Sequence, residues 1–171
     1  MLKGLKRGSE RKENAVQRIT PNLWFDTEAE EAANFYISIF KDSEIVNVLH
    51  YGEAGPRGSG MVMTVTFKLQ GQEFTGINGG ADFKFNEAIS LLVNCDSQDE
   101  VDEFWEKLSE GGEEGPCGWL KDKFGLSWQI VPAGMDKMLQ DPNSEAASRA
   151  MKAMLQMKKI DIEELRRAAG S

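Results

Sequence analysis

The sequence predicts an α+β chain: two βαβββ modules followed by C-terminal helices. Three observations carry that prediction. Two helical stripes repeat at a fixed spacing, with Ala32, Phe35, Tyr36 and Ile39 matching Val101, Phe104, Trp105 and Leu108 at an offset of 69 residues. Each stripe follows a strand-like run and a capping signal, Thr27 with Glu30 and Ser97 with Glu100, the pattern that satisfies two orphan backbone donors reciprocally. Each half also closes in a hairpin, turned at Gly71 in the first and at Asp122–Gly125 in the second. Self-similarity at a fixed period signals a duplicated supersecondary unit. The caps map at 70 rather than 69, which implies a one-residue adjustment.

The elements follow in order. Residues 1–18 carry six Lys or Arg against two Glu and read as a basic, flexible, solvated tail. In Ile19–Phe25 the side chains Ile19, Pro21, Leu23 and Phe25 fall on one strand face and Thr20, Asn22 and Trp24 on the other. Pro21 cannot donate to a ladder and belongs near the strand start. The helix opened by Thr27 runs to about Phe40. Residues 44–51 are β-rich, and a glycine-laden loop leads to Met61–Leu69, the cleanest alternation in the chain. Gly71 turns it into a partner strand over Gln72–Asn78.

The second module restarts with a strand over Ala88–Asn94, then a helix to about Leu108. Gly111, Gly112 and Gly115 break the chain before the hairpin CGWLKDKFGLSWQIVP, Cys117 to Pro132. The modules are expected over 19–80 and 88–132, within a body of 19–132, and a helical segment over 133–171. In that segment Asp141 and Pro142 suit an N-cap and first helical position, Met151, Met154 and Leu155 form an apolar stripe for core or dimer packing, and Asp161 with Glu164 caps a last helix.

Composition excludes several classes. With a net charge of −8 overall and +4 on the first eighteen residues, the body is acidic and unsuited to nucleic acid. No apolar run reaches the roughly 18 residues of a membrane span, and the start lacks a signal-peptide core. Two cysteines 22 residues apart and one histidine indicate neither a disulfide framework nor a zinc motif, so a cytoplasmic location is expected. The glycines of 52–60 precede a strand, not a helix, and form no phosphate or S-adenosylmethionine cradle.

Three strings, TPNLWFDTEAEEAANFYISIF, CGWLKDKFGLSWQIVP and MKAMLQMKKIDIEEL, carry a likeness that spans residues 19 to about 167. They resemble the PhnB-like family of the vicinal-oxygen-chelate superfamily, the group of glyoxalase, bleomycin-resistance and extradiol-dioxygenase proteins. Members of the family are often labelled 3-demethylubiquinone-9 3-methyltransferase. The resemblance implies paired βαβββ modules curving round a cavity, in a homodimer that in some relatives exchanges modules between subunits. In metal-dependent relatives the ligands are mostly His and Glu from the first and last strands of each module. Carried onto this chain, those positions fall at Thr20 and Ser90, and at Thr75 and Gln129, each four residues past its turn glycine. None is a strong ligand: Gln129 is an amide where the relatives carry Glu, and hydroxyls suit a transition metal poorly.

The expected function is therefore binding of an unidentified small molecule without the superfamily's usual metal, in a pocket lined by Thr20, Asn22, Trp24, Thr75, Ser90 and Gln129. No catalytic residue, metal ligand or cofactor is assigned. The alternative is an enzyme of the superfamily, a metal-dependent lyase, isomerase or dioxygenase using Glu73, or the methyl transfer named in the family label. His50 reads as a surface histidine, Cys117 as a small packed residue, and Asp122 and Lys123 as ordinary turn residues.

Overall fold

The computed structural model describes residues 17–141 and 144–170, so the expectations for the basic tail before Gln17 and for Pro142 lie outside the described residues. The first module contains β1 (Asn22–Phe25), α1 (Ala29–Ile39), β2 (Glu44–His50), β3 (Val62–Leu69) and β4 (Gln72–Asn78). The second contains β5 (Ser90–Cys95), α2 (Gln98–Ser109), β6 (Glu113–Glu114), β7 (Trp119–Lys121) and β8 (Ser127–Pro132). Helices α3 (Met135–Leu139), α4 (Glu145–Met154) and α5 (Ile162–Ala169) follow.

Each module forms one four-stranded sheet, in the orders β1-β4-β3-β2 and β5-β8-β7-β6. The first and last strands of each pair in parallel, and the remaining pairs are antiparallel. The modules are thus built alike. Alternation decides which face each helix covers. Leu23, Phe25, Val65, Phe67 and Phe74 are buried in the same core as Ala32, Tyr36 and Ile39 of α1, and Trp128 and Ile130 in the same core as Val101, Trp105 and Leu108 of α2. Gly76 lets α1 approach closely, because a Cβ there would lie 3.1 Å from that of Ala29.

The two cores are continuous. Phe40, at the end of α1, stacks on Phe104 at 5.0 Å and on Trp128 at 5.5 Å between centroids. Burying each such side chain contributes about 1.5–3 kcal/mol, so the modules form one cooperative body. A second cluster of Met157, Ile160 and Leu165, with Met135, Met138 and Met154 against it, holds the C-terminal helices together. The segment after α4 is tied to the second module by Cys117 N–H donating to Met157 O at 2.8 Å and Gly118 N–H to Lys158 O at 2.7 Å.

Several local expectations are corrected. β1 begins at Asn22, and Ile19, expected on its buried face, is 85 % exposed. Thr27 does not cap α1: the N-cap is Glu28, with no side-chain cap bond, and Asn78 Oδ1 accepts from Ala29 N–H at 2.9 Å instead. With Glu28 and Ser97 as caps the helices match at 69 throughout, while the buried strand residues Leu23 and Phe25 match Val93 and Cys95 at 70, so the one-residue adjustment falls between strand and helix rather than at the cap. Ser97 does cap α2, accepting from Glu100 N–H, but the Glu100 carboxylate reaches back to Asp96 N–H rather than to Ser97. β5 runs Ser90–Cys95, two residues later in its start than the β-rich run suggested. The cap of α4 is Ser144, accepting from Ala147 N–H, not Asp141. Asp161 caps α5 as expected.

Candidate functional site

Because each helix covers one face of its sheet, the candidate site lies on the other. In the first sheet the register aligns two rows on this open face: Asn22, Thr75, Thr66 and Asn47 in one, and Trp24, Ile77, Thr64 and Leu49 in the next. Asn22 and Thr75 are direct partners. Thr20 lies just before the strand, where its carbonyl accepts from Asn22 Nδ2 at 2.8 Å. Trp24 is held by two contacts: its Nε1 donates to Gly80 O at 2.7 Å, and its ring meets Phe83 edge-on at 5.1 Å. It also lines a cavity of about 700 Å³ with Phe83, Lys84, Phe85, Lys123 and Phe124. Four of the six expected residues therefore gather on or beside the first module.

In the second sheet two open-face rows are Ser90, Ser127, Lys121 and Glu113, and Leu92, Gln129 and Trp119, the latter equivalent to the Asn22 row of the first sheet. Gln129 Nε2 donates to Ser90 Oγ at 2.8 Å, so these two expected residues meet directly. The two groups are not joined in one hollow of the described chain. Trp24 lines the cavity above, whereas Ser90 lines another, of about 640 Å³, with Pro21, Phe40, Phe74, Leu92 and Trp128.

Counting from the turn glycines equates Thr75 with Gln129, and the register agrees: the strand ends pair as Phe25 with Asn78 and Cys95 with Pro132, so the Asn22–Thr75 pair corresponds to Leu92–Gln129. Ser90, two residues earlier, pairs with Ser127. The turns differ in length. Leu69 pairs with Gln72 across two residues, while Lys121 pairs with Ser127 across five. Ser127, Lys121 and Trp119 share the open face with Gln129 and were not among the expected residues; alternation backwards from Gln129 is the signal that finds Ser127.

Asp122 explains the longer turn and is not an ordinary turn residue. It is 2 % exposed. Oδ1 accepts from Phe124 and Leu126 N–H at 2.9 and 3.0 Å, which shapes the turn, and Oδ2 accepts from Tyr36 Oη and Trp128 Nε1, both at 2.8 Å. Burial pushes its carboxyl above the ordinary range against the pull of these four donors. Burial, with the neighbouring Asp122, pushes the Tyr36 phenol well above its ordinary value. Lys123 pairs with Glu31 at 2.9 Å and lies over the rings of Phe35 and Phe124.

The remaining candidates are dispersed. His50 is exposed at the end of β2. Glu73 is bound through its backbone, its N–H donating to Gln17 Oε1 and its carbonyl accepting from Gln17 Nε2, both at 3.0 Å. Cys95 and Cys117 are free thiols, and burial pushes Cys95 up to about 12. Among the described residues no group of three or more His, Cys, Asp or Glu is placed to hold a metal ion, and the Gln129 amide with the Thr20, Thr75 and Ser90 hydroxyls does not supply the donors a transition metal needs. No described helix is long and apolar enough to cross a membrane.

The family model described as 3-demethylubiquinone-9 3-methyltransferase matches residues 17–131. A PhnB protein from Bacillus cereus is 42 % identical, with a TM-score of 0.62, over 68 % of this chain and 100 % of its own. Protein PA1353 from Pseudomonas aeruginosa, 19 % identical, has a TM-score of 0.57 over 68 % of this chain and 97 % of its own. The fosfomycin resistance protein FosX from Listeria monocytogenes, solved with Mn(II) and sulfate, is 16 % identical with a TM-score of 0.50, over 76 % of this chain and 92 % of its own. These last two show the fold alone. No curated protein matches. In the described residues each sheet has one parallel pair and the glycines of 52–60 lead into β3, so these residues do not form the glycine turn by which a doubly wound sheet binds S-adenosylmethionine.

Proposed function

The chain belongs to the 3-demethylubiquinone-9 3-methyltransferase family, and on that footing we propose that it is a member of the glyoxalase/bleomycin-resistance/dioxygenase superfamily that binds a small organic molecule on the open faces of its sheets. One observation carries this reading. Both open faces set rows of short polar side chains beside an aromatic ring: Asn22, Thr75 and Thr66 beside Trp24, and Ser90 and Ser127 beside Gln129 and Trp119. Apolar walls with a few oriented hydroxyls and amides are the composition that holds small ligands. The Gln129–Ser90 bond supports binding over metal chemistry, since it joins a neutral amide and a hydroxyl, neither of them a strong transition-metal ligand.

The proposed unit is a cytoplasmic homodimer. Leu49 and Leu92 on the open faces are 47 % and 51 % exposed, and a second subunit covering them would enclose the site. The experiment is a thermal-shift screen of metabolites, repeated after dialysis against a chelator, with light scattering for the oligomeric state. A ligand whose stabilisation survives chelation and is lost in Asn22→Ala or Gln129→Ala supports the reading. Stoichiometric transition metal retained through dialysis, or a turnover that chelation abolishes, would replace it with the enzyme alternative.

A further inference from the structure

We propose that the open face of the second sheet takes a small organic ammonium ion, seated between Trp119, Ser127 and Glu113. This rests on the small-molecule reading and adds the charge and orientation of the ligand. The starting observation is Ser127. It is fully buried, and its Oγ finds no hydrogen-bond partner among the described residues. An unpaired buried hydroxyl costs about 1–3 kcal/mol, yet here it lines a cavity of about 390 Å³ together with Glu87, Glu113, Glu114, Trp119 and Lys121. That volume falls in the range of small-ligand sites.

The charges of the lining decide the ligand's sign. Three carboxylates face one ammonium. Lys121 Nζ is held by Glu87 at 2.5 Å, and Glu114 accepts from Trp105 Nε1 at 3.0 Å and pairs with Lys158 at 3.5 Å. Glu113, the cross-strand partner of Lys121, has no ion pair among the described residues. An anion entering here would face net negative charge, whereas a cation meets the Glu113 carboxylate, which interacts with Lys121 only at longer range, and the Trp119 indole in the lining, a ring type that attracts an ammonium by its quadrupole. Ser127 Oγ can accept from the same N–H group or from a neighbouring polar atom of the ligand.

The same geometry argues against a nucleophilic serine. Lys121 lies beside Ser127 by register and would be the base, but its bond to Glu87 favours the ammonium and raises its pKa. Ser127 therefore acts as a hydrogen-bonding group.

The test is calorimetric titration of the full chain at low salt with benzylamine, benzyl alcohol and benzoate, three probes of one shape and three charges. Benzylamine is expected to bind at least tenfold more tightly than the others. Ser127→Ala and Glu113→Gln are each expected to weaken it about five- to tenfold. Ser127→Ala removes only an unpartnered oxygen, so its urea midpoint should be no lower than that of the parent, which separates lost binding from lost folding. Benzoate or benzyl alcohol binding as tightly as benzylamine, benzylamine affinity unchanged by both substitutions, or no benzylamine binding tighter than about 10 mM would each overturn the proposal. A metabolite from the thermal-shift screen that depends on Asn22 alone would leave the small-molecule reading standing without this inference.

Discussion

The Tyr36 hydroxyl donates to Asp122 Oδ2 at 2.8 Å, a buried bond that joins the helix of the first module to the last hairpin of the second. Trp128 Nε1 donates to the same oxygen, so one carboxylate fixes an aromatic residue on each side of the module boundary. Tyr36→Phe removes one donor from a buried, electron-rich oxygen and is expected to destabilise the protein by about 1–3 kcal/mol. Asp122→Asn should cost more, about 3–5 kcal/mol, because its amide would present hydrogens to two groups that are themselves donors. Urea unfolding measures both. An unchanged midpoint in Tyr36→Phe would show that the bond does not join the modules energetically.

Stability should fall steeply at alkaline pH. The folded pKa of Tyr36 is raised well above its ordinary value, chiefly by burial. Above pH about 10 the unfolded phenol loses its proton while the folded one keeps it. The unfolded state then binds fewer protons, so this stabilising contribution is fully present below that pH and is lost as pH rises toward the folded pKa, at up to about 1.4 kcal/mol per pH unit. Asp122, also raised by burial, acts with the same sign from the ordinary carboxylate range upward. Tyrosinate absorbance followed against urea midpoint checks this. In Tyr36→Phe the alkaline loss should be shallower, and an identical slope in parent and variant would sink the assignment.

The modules were legible in the sequence because periodicity is a local signal. Ala32, Tyr36 and Ile39 recur as Val101, Trp105 and Leu108, and all six are buried. What was not legible depended on contacts between distant residues. Thr27 looks like a cap by spacing, yet the donor of Ala29 is satisfied by Asn78 from the end of β4. The identity of Ser127 as the partner of Ser90 depends on a five-residue turn, and that turn is fixed by the Asp122 carboxylate, whose burial comes from Tyr36 in the other module. A turn aspartate next to buried Leu120 and Leu126 carries no local mark of that role.

The two thiols should differ sharply in reactivity. Cys95 is 1 % exposed, and burial, assisted by the charges of Glu100 and Asp96, pushes it up to about 12. Only the thiolate reacts with a disulfide reagent, and at pH 8 roughly one Cys95 in ten thousand would carry it. Cys117 is half-buried at the start of the final hairpin. Titration with a chromogenic disulfide is expected to release one equivalent from the native protein and a second only in denaturant. Cys117→Ser should abolish the native signal, and a persisting fast phase in that variant would contradict the buried placement of Cys95.

Trp24 stands where it does because Gly79 has no side chain. A Cβ at Gly79 would lie 2.1 Å from the indole ring, well inside contact distance, and the ring is already fixed on the other side by Phe83 and by its bond to Gly80 O. Gly79→Ala must therefore move the indole or the strand end. Overpacking of this kind costs about 1–3 kcal/mol, and the displaced ring would lose the Gly80 bond and shift into the cavity it now lines. The expected result is a lower urea midpoint together with a changed near-ultraviolet circular dichroism in the tryptophan region. If the ligand found by thermal shift sits against Trp24, its affinity should fall in Gly79→Ala by at least as much as in Asn22→Ala. A Gly79→Ala protein with the parent's spectrum and midpoint would mean that the indole does not occupy the space over Gly79, and the first-module half of the proposed site would have to be redrawn.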